Sequence, residues 1–280
     1  MIAYPFDANG IATRVLESGQ GERTVVFVHG TGGRADRLSG NLDAVAAAGF
    51  HCYAMDLPGH GFAAKGIGVA CSVPAYRAFL GGFLDAAGIR RCTIVGTSLG
   101  GHVVASWAVE NPARVDGIVL VGSMGLAPIG DEARARVQAG ANNQTREGVR
   151  SKLQRVIFDP ALVTPEMREE EYRVNNSKGA AESFAALGNY VAADLDRDVV
   201  GERLAACDFP VLLVWGEQDK TVPPAAAERA RAMLPRSRLA LLAQAAHTAY
   251  YERADDFNQL LLGFLAGDGR QHQAPGVSWS

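Results

Sequence analysis

Apolar residues fall along this chain in two alternating rhythms. Short runs rich in β-branched and aromatic residues stand at Thr24–Val28, His51–Met55, Cys92–Thr97, Gly117–Gly122, Val211–Trp215 and Arg238–Leu242. Such runs are typical of strands buried on both faces of a parallel sheet. Ile11–Glu17 alternates as an earlier strand and is turned by Gly19-Gln20-Gly21. Between these runs lie segments of helical spacing: Leu38–Ala48, Val73–Gly88, Val103–Glu110, Pro224–Leu234 and Arg253–Leu265. This alternation predicts an α/β fold with a mostly parallel, doubly wound sheet. It stops between about Leu126 and Ala205, where Asp131–Ala139, Arg146–Phe158, Pro165–Asn176 and Ala180–Ala192 read as helices with no strand among them. The pattern therefore divides the chain into a core domain, first part, over 1–125, a helical cap over 126–205, a second part of the core over 206–266, and a loosely ordered tail over 267–280. Glycines at 125–130 and at Val200-Gly201 are the expected hinges of the cap.

Composition narrows the class. The 280 residues are 48% hydrophobic and 20% charged, enough for a sizeable core. A formal net charge of −3, with no basic run, excludes a nucleic-acid partner. No apolar run approaches the ~18 residues of a membrane span, so no membrane partner is expected. Met1–Gly10 carries neither a cationic nor an apolar stretch, so a signal peptide is not expected. Cys52, Cys71, Cys92 and Cys207 are widely spaced and read as free thiols of a reducing cytoplasm. No metal-ligand spacing occurs, and neither metal nor cofactor is expected. The expected partner is a small-molecule substrate, with a homodimer left open.

The chemistry centres on Gly96-Thr97-Ser98-Leu99-Gly100-Gly101, a turn between a strand and a helix. A serine forced into so sharp a bend has strained backbone angles and holds its hydroxyl clear of both elements. Ser98 also stands at a helix N-terminus, which favours developing negative charge. A serine nucleophile needs a base and a carboxylate to orient that base. Loops at the carboxyl ends of strands supply both. Asp219 follows the strand ending at Trp215, and His247 follows the strand ending at Leu242. Glu217 is the alternative acid. The oxyanion donors are expected to be the N–H of Leu99 and an N–H from His29-Gly30-Thr31-Gly32-Gly33, with Thr31 the first choice. His29, His60 and His102 read as structural hydrogen-bonders, and Glu169-Glu170-Glu171 as a solvated face of a cap helix.

Val28-His29-Gly30, Asp56-Leu57-Pro58-Gly59-His60-Gly61, the Ser98 turn and Trp215-Gly216-Glu217-Gln218-Asp219 together resemble the α/β-hydrolase superfamily over nearly all of residues 11–266. The resemblance implies the α/β-hydrolase fold with a helical cap inserted after the sixth strand. More narrowly, the chain is similar to the meta-cleavage product hydrolases, which split carbon–carbon bonds in ring-opened aromatic catabolites. The similar parts are the cap segment Phe158–Met167 and the closing Glu252–Asn258. Three positions depart from that family. Thr97 stands where the family has Asn, Thr248 where it has Trp, and Glu171 where it has a substrate-binding Arg on the cap. Arg168 and Arg173 lie close by and, with Gly30, are the candidate substrate contacts.

These readings point to a serine hydrolase of a small, largely apolar carbonyl substrate, a carboxylic ester first. The alternative is carbon–carbon hydrolysis of a dienoate. A cofactor-free dioxygenase, which would depend far less on Ser98, and a small-molecule receptor on the same fold rank below these.

Overall fold

A computed structural model gives the protein's structure and describes residues 1–267 and 271–280. Its strands are β1 Ile2–Ala8, β2 Ile11–Ser18, β3 Thr24–Val28, β4 His51–Met55, β5 Cys92–Thr97, β6 Val115–Val121, β7 Val211–Gly216, β8 Arg238–Leu242 and β9 Val277–Trp279. They form one sheet in the order β1-β2-β4-β3-β5-β6-β7-β8-β9. From β4 to β8 neighbours run parallel, while β1, β2 and β9 add antiparallel edges.

The alternation along each strand sorts side chains into two cores. Val26, Val28, Ile94, Leu120, Leu213 and Trp215 pack under helices α2 (Val73–Ala86), α3 (Leu99–Glu110) and α9 (Pro224–Met233). Val25, Phe27, Val95, Val119, Leu212 and Val214 pack under α1 (Ser39–Ala47) and α11 (Ala254–Ala266). Both faces of the central strands are thus buried, which is why they read as unbroken apolar runs.

The chain passes from β3 to β4 on one side and later to β5 on the other. The crevice at such a reversal is where α/β sheets bind ligands. Ser98 follows β5, and the glycine loop follows β3, so both open onto that crevice.

Between β6 and β7 the chain runs through α4 (Asp131–Asn142), α5 (Arg146–Val156), α6 (Pro165–Asn175), α7 (Ala180–Ala193) and α8 (Gly201–Ala205). The segments at the two ends of this insertion are bonded to each other. Val200 N–H donates to Gly125 O at 2.9 Å, and the Asp196 carboxylate accepts from the N–H groups of Ile129 and Gly130. Among the described residues no helix is long and apolar enough to cross a membrane.

Several elements depart from expectation. Strand β1 is absent from the sequence reading because Pro5 and Asp7 interrupt its apolar positions, which an edge strand tolerates. The Asn9-Gly10 hairpin that returns it to β2 has φ of 53° and 88°, the left-handed pair this two-residue turn requires. The tail is not loose throughout. Strand β9 pairs with β8, and Leu239 and Ser280 exchange backbone hydrogen bonds of 3.1 and 2.9 Å. Its partner is the otherwise open edge of β8, and Trp279 anchors it by donating its ring N–H to His272 O. Residues 268–270 of the tail lie outside the described residues. Helix α3 begins at Leu99 rather than Val103, directly after the nucleophile candidate, and a short α10 (Ala249–Glu252) precedes α11.

β5, α3 and β3 cross with backbone against backbone. A Cβ on Gly100 would lie 2.4 Å from the carbonyl oxygens of Val28 and His29, and one on Gly96 would lie 2.5 Å from Gly100 O. Gly100→Ala is expected to lose more than about 3 kcal/mol or to fail to fold, because backbone cannot yield as a side chain does. Gly40→Ala, where a Cβ meets nothing within 4 Å, is the control. Denaturant unfolding of the two variants checks this.

Candidate active site

Ser98 has φ 54° and ψ −118°, a conformation non-glycine residues rarely adopt. Three backbone bonds hold it there. Its N–H donates to Val121 O at 2.9 Å, and its carbonyl accepts from His102 and Met124. The hydroxyl is thereby turned out of the strand-to-helix turn into a cleft.

The imidazole of His247 and the carboxylate of Asp219 meet beside it. His247 Nδ1 lies 2.8 Å from Asp219 Oδ2. Asp219 is itself fixed, since its Oδ1 accepts the N–H groups of Thr221 and Val222 at 2.8 and 3.0 Å. One carboxylate oxygen is thus occupied by backbone and the other is left for the histidine. The two loops that carry these residues are joined: Gln218 N–H donates to Ala245 O, and Ala245 N–H returns to Gln218 Oε1. Glu217 is exposed and has no part in this contact. Ser98 and His247 line the same cleft, with no direct hydrogen bond between their side chains among the described residues.

The Gly30-Thr31 peptide is oriented from behind. Gly30 O accepts from Gly33 N–H at 3.0 Å and from His29 Nδ1 at 2.8 Å, while His29 Nε2 accepts Leu57 N–H at 2.9 Å. The carbonyl and N–H of one peptide point in opposite directions. Pinning Gly30 O therefore directs Thr31 N–H the other way. A Cβ on Gly30 would be 2.8 Å from Ser98 Cβ, so only glycine lets this loop lie against Ser98. Leu99 N–H belongs to the first turn of α3, whose amides have no acceptor within the helix. His29 is fully buried, and its burial pushes its pKa below the usual value, in keeping with a neutral ring that donates at Nδ1 and accepts at Nε2. His60 is buried beside it and pushed down to about 3 by burial and by His29. His102, also buried, holds Asp198 O at 2.8 Å through Nε2.

The cleft has about 580 Å³ of empty volume, mouth included. Ser98, His247, Thr31 and Thr97 line its floor, and Leu153, Val156 and Ile157 of the cap line its roof. Thr31 brings a buried hydroxyl with no partner among the described residues.

Charge enters this apolar cleft in one place. Glu171, only 2% exposed, receives Lys152 Nζ at 2.6 Å on Oε1 and Arg37 Nη2 at 2.8 Å on Oε2. Lys152 also donates to Gly32 O at 3.0 Å, in the loop that carries Thr31. Burial alone would raise the Glu171 pKa, but the charges of Lys152 and Arg37 outweigh it and hold the carboxyl below the ordinary value.

The structure corrects two expectations. Glu169-Glu170-Glu171 is not one solvated face. Consecutive helical residues point about 100° apart, so each finds its own partner: Glu169 takes Arg146 and Arg173, Glu170 takes Arg34, and Glu171 takes Arg37 and Lys152. Arg168 and Arg173 do not line the cleft. Arg173 lies on the outer face of α6, paired with Glu169 at 2.8 Å with 76% of its side chain exposed. The cations in the cleft are Arg37 and Lys152, for which the sequence carries no motif.

A half-buried acid has no signal in the sequence either. Glu252 accepts Ala246 N–H beside the catalytic histidine candidate and Phe158 N–H of the cap, at 3.0 and 2.5 Å. Thr248, where the resembled family has Trp, donates to Val156 O of α5 through both its N–H and its hydroxyl. The histidine loop is therefore tied to the cap. Among the described residues no group of three or more His, Cys, Asp or Glu side chains is placed to hold a metal.

Fold and site together define a hydrolase of the strand-turn-helix serine type, and comparison with known proteins gives the family. The α/β-hydrolase-fold family model matches residues 23–254, and the chain belongs to that family. It is 35% identical, over 95% of its length and 70% of the relative's, to the dihydrolipoyllysine-residue acetyltransferase component of the acetoin cleaving system of Cupriavidus necator. It is 30% identical, over 88% of its length and 89% of the relative's, to 2-hydroxy-6-oxononadienedioate/2-hydroxy-6-oxononatrienedioate hydrolase 2 of Pseudomonas putida. In fold it is similar to the meta-cleavage product hydrolase CumD of Pseudomonas fluorescens IP01, with TM-score 0.84 and 24% identity over 94% of this chain and 97% of the other.

The Glu171 cluster sets a pH dependence. Its carboxyl has a folded pKa below the ordinary value, so its ion pairs stand in full above the ordinary carboxylate range and are lost as pH falls through the lowered value. Wild-type protein is expected to lose thermal stability between about pH 6 and pH 3 more steeply than Glu171→Gln. Parallel melting curves for the two proteins across that range would remove Glu171 from cap docking.

Proposed function

We propose that this protein hydrolyses a small carboxylic ester with an uncharged, largely apolar acyl part through an acyl-enzyme on Ser98. The observation that carries this reading is the His247–Asp219 contact of 2.8 Å in the cleft that Ser98 also lines. The apolar roof from Leu153 to Ile157 supports the choice of substrate, and Glu171 already neutralises part of the cleft's positive charge.

Ser98 Oγ bonds to the ester carbonyl carbon as its proton passes to His247 Nε2. Asp219 holds the ring by Nδ1 and stabilises the imidazolium. The carbonyl electron pair moves onto oxygen, which faces the N–H groups of Thr31 and Leu99. Collapse breaks the bond to the alcohol oxygen, and the alcohol leaves with the proton from His247. Water then gives a proton to His247 and attacks the acyl carbon. The second collapse restores Ser98 with that proton and releases the acid.

A second reading, hydrolysis of a carbon–carbon bond in a ring-cleavage dienoate, is favoured by the similarity to the Pseudomonas putida hydrolase and by the net positive charge of Arg37, Lys152 and Glu171. Against it stand Thr97 and Thr248 at positions where that family has Asn and Trp.

Short-chain p-nitrophenyl esters and a 2-hydroxy-6-oxo-dienoate, assayed side by side, separate the two. The ester reading expects turnover of the esters and loss of turnover by at least about 10³ in Ser98→Ala. Equal release of p-nitrophenol by wild type and variant overturns it. Asp219→Asn keeps the side-chain shape but disturbs the imidazole tautomer, and turnover is expected to fall by about 10²–10⁴ with unchanged melting temperature.

A further inference from the structure

The Glu171 cluster does something that cap docking alone does not require. Removing two cations and a carboxylate from water is expensive, and an apolar contact of similar size would dock a helix at lower cost. Docking is served nearby by Glu170, which reaches Arg34 of the core from the same turn of α6. Glu171 instead sits inside the substrate cleft, held by donors from opposite walls: Arg37 from the core and Lys152 from the cap. The two carboxylate oxygens are divided between these donors, at 2.8 and 2.6 Å. Without the Glu171 head group the two donors would enclose a place of carboxylate size and charge preference inside the cleft.

We propose that Glu171 is a specificity-determining residue, an internal carboxylate that fills an anion seat between Arg37 and Lys152 and so keeps substrates with a carboxylate-ended acyl chain out of the cleft. The inference rests on the ester reading above and refines its substrate class: acyl groups that end in neutral, apolar atoms are accepted, and those that end in a carboxylate meet both the filled seat and the repulsion of its occupant. Truncating Glu171 exposes the two cations, and neutralising it removes the repulsion; each moves the preference toward acyl groups that end in a carboxylate.

The test uses two independent readouts on wild type, Glu171→Gln and Glu171→Ala. The first is the ratio of kcat/KM for the mono-p-nitrophenyl ester of glutaric acid to that for p-nitrophenyl butyrate. This ratio is expected to rise by at least about tenfold in both variants. The second needs no turnover. Sodium acetate, compared with sodium chloride at equal ionic strength, is expected to raise the melting temperature of Glu171→Ala and leave that of wild type unchanged, because acetate takes the vacated seat. If neither ester is hydrolysed by any of the three proteins, the ester reading falls, and the acetate shift alone decides the seat. If Glu171→Ala refolds only in acetate, that supports the proposal. An unchanged ester ratio together with no acetate-specific stabilisation or refolding overturns it.

Discussion

The approach of α3 to the ends of β3 and β5 is the constraint on which the rest depends. Gly96 and Gly100 let the helix lie against the strands with no side chain between them. That contact bends the chain at Ser98 into backbone angles that cost a free serine about 1–3 kcal/mol. The packed layers on both sides of the sheet hold the bend in place, with Val103, Val104 and Trp107 of α3 buried over one of them. From this one crossing follow the cleft-facing hydroxyl of Ser98, the first-turn position of the Leu99 N–H and the proximity of the β3 loop. Ser98, set directly at the end of β5, inherits the rigidity of the sheet, while the loops of Asp219 and His247 are held by their own hydrogen bonds.

The cap is not a uniform cover over that site. Helices α4 and α7 pack together near the connections to the core, where Gly125, Asp196 and Val200 are interlocked. Helix α5 instead reaches both halves of the chemistry. Its Lys152 bonds the glycine loop after β3 at Gly32 O, and its last turn accepts two bonds from Thr248 next to His247. Movement of α5 would therefore disturb the Thr31 side and the His247 side of the cleft at once. Access and chemical competence are coupled through a single helix.

What was legible in the sequence was what short-range physics decides. Strands β3 to β8 show themselves as apolar runs because both of their faces are covered. Ser98, Asp219 and His247 stand at strand ends marked by local glycine and turn chemistry. The hidden parts are those whose meaning lies in distant partners. Strand β9 becomes a strand only by pairing with β8, and β1 carries a proline that a central strand would refuse. Glu171 looks like one of three solvated acids until Arg37, 134 residues earlier, is placed beside it. Arg168 and Arg173 were reasonable candidates by proximity in sequence, yet helical geometry turns Arg173 to the outside, and neither lines the cleft. Side-chain direction on a helix whose neighbours are unknown is the information a single sequence lacks.

The bond between Val200 and Gly125 has a consequence for how such proteins diversify. Because the helical insertion leaves and rejoins the sheet at two points that touch, it behaves as a cassette: its excision or exchange shortens or lengthens the chain without moving either strand it interrupts. Grafts at this junction can change what enters the cleft while Ser98 stays where the sheet puts it, provided that the new segment again meets Gly32 O and Thr248, as α5 does.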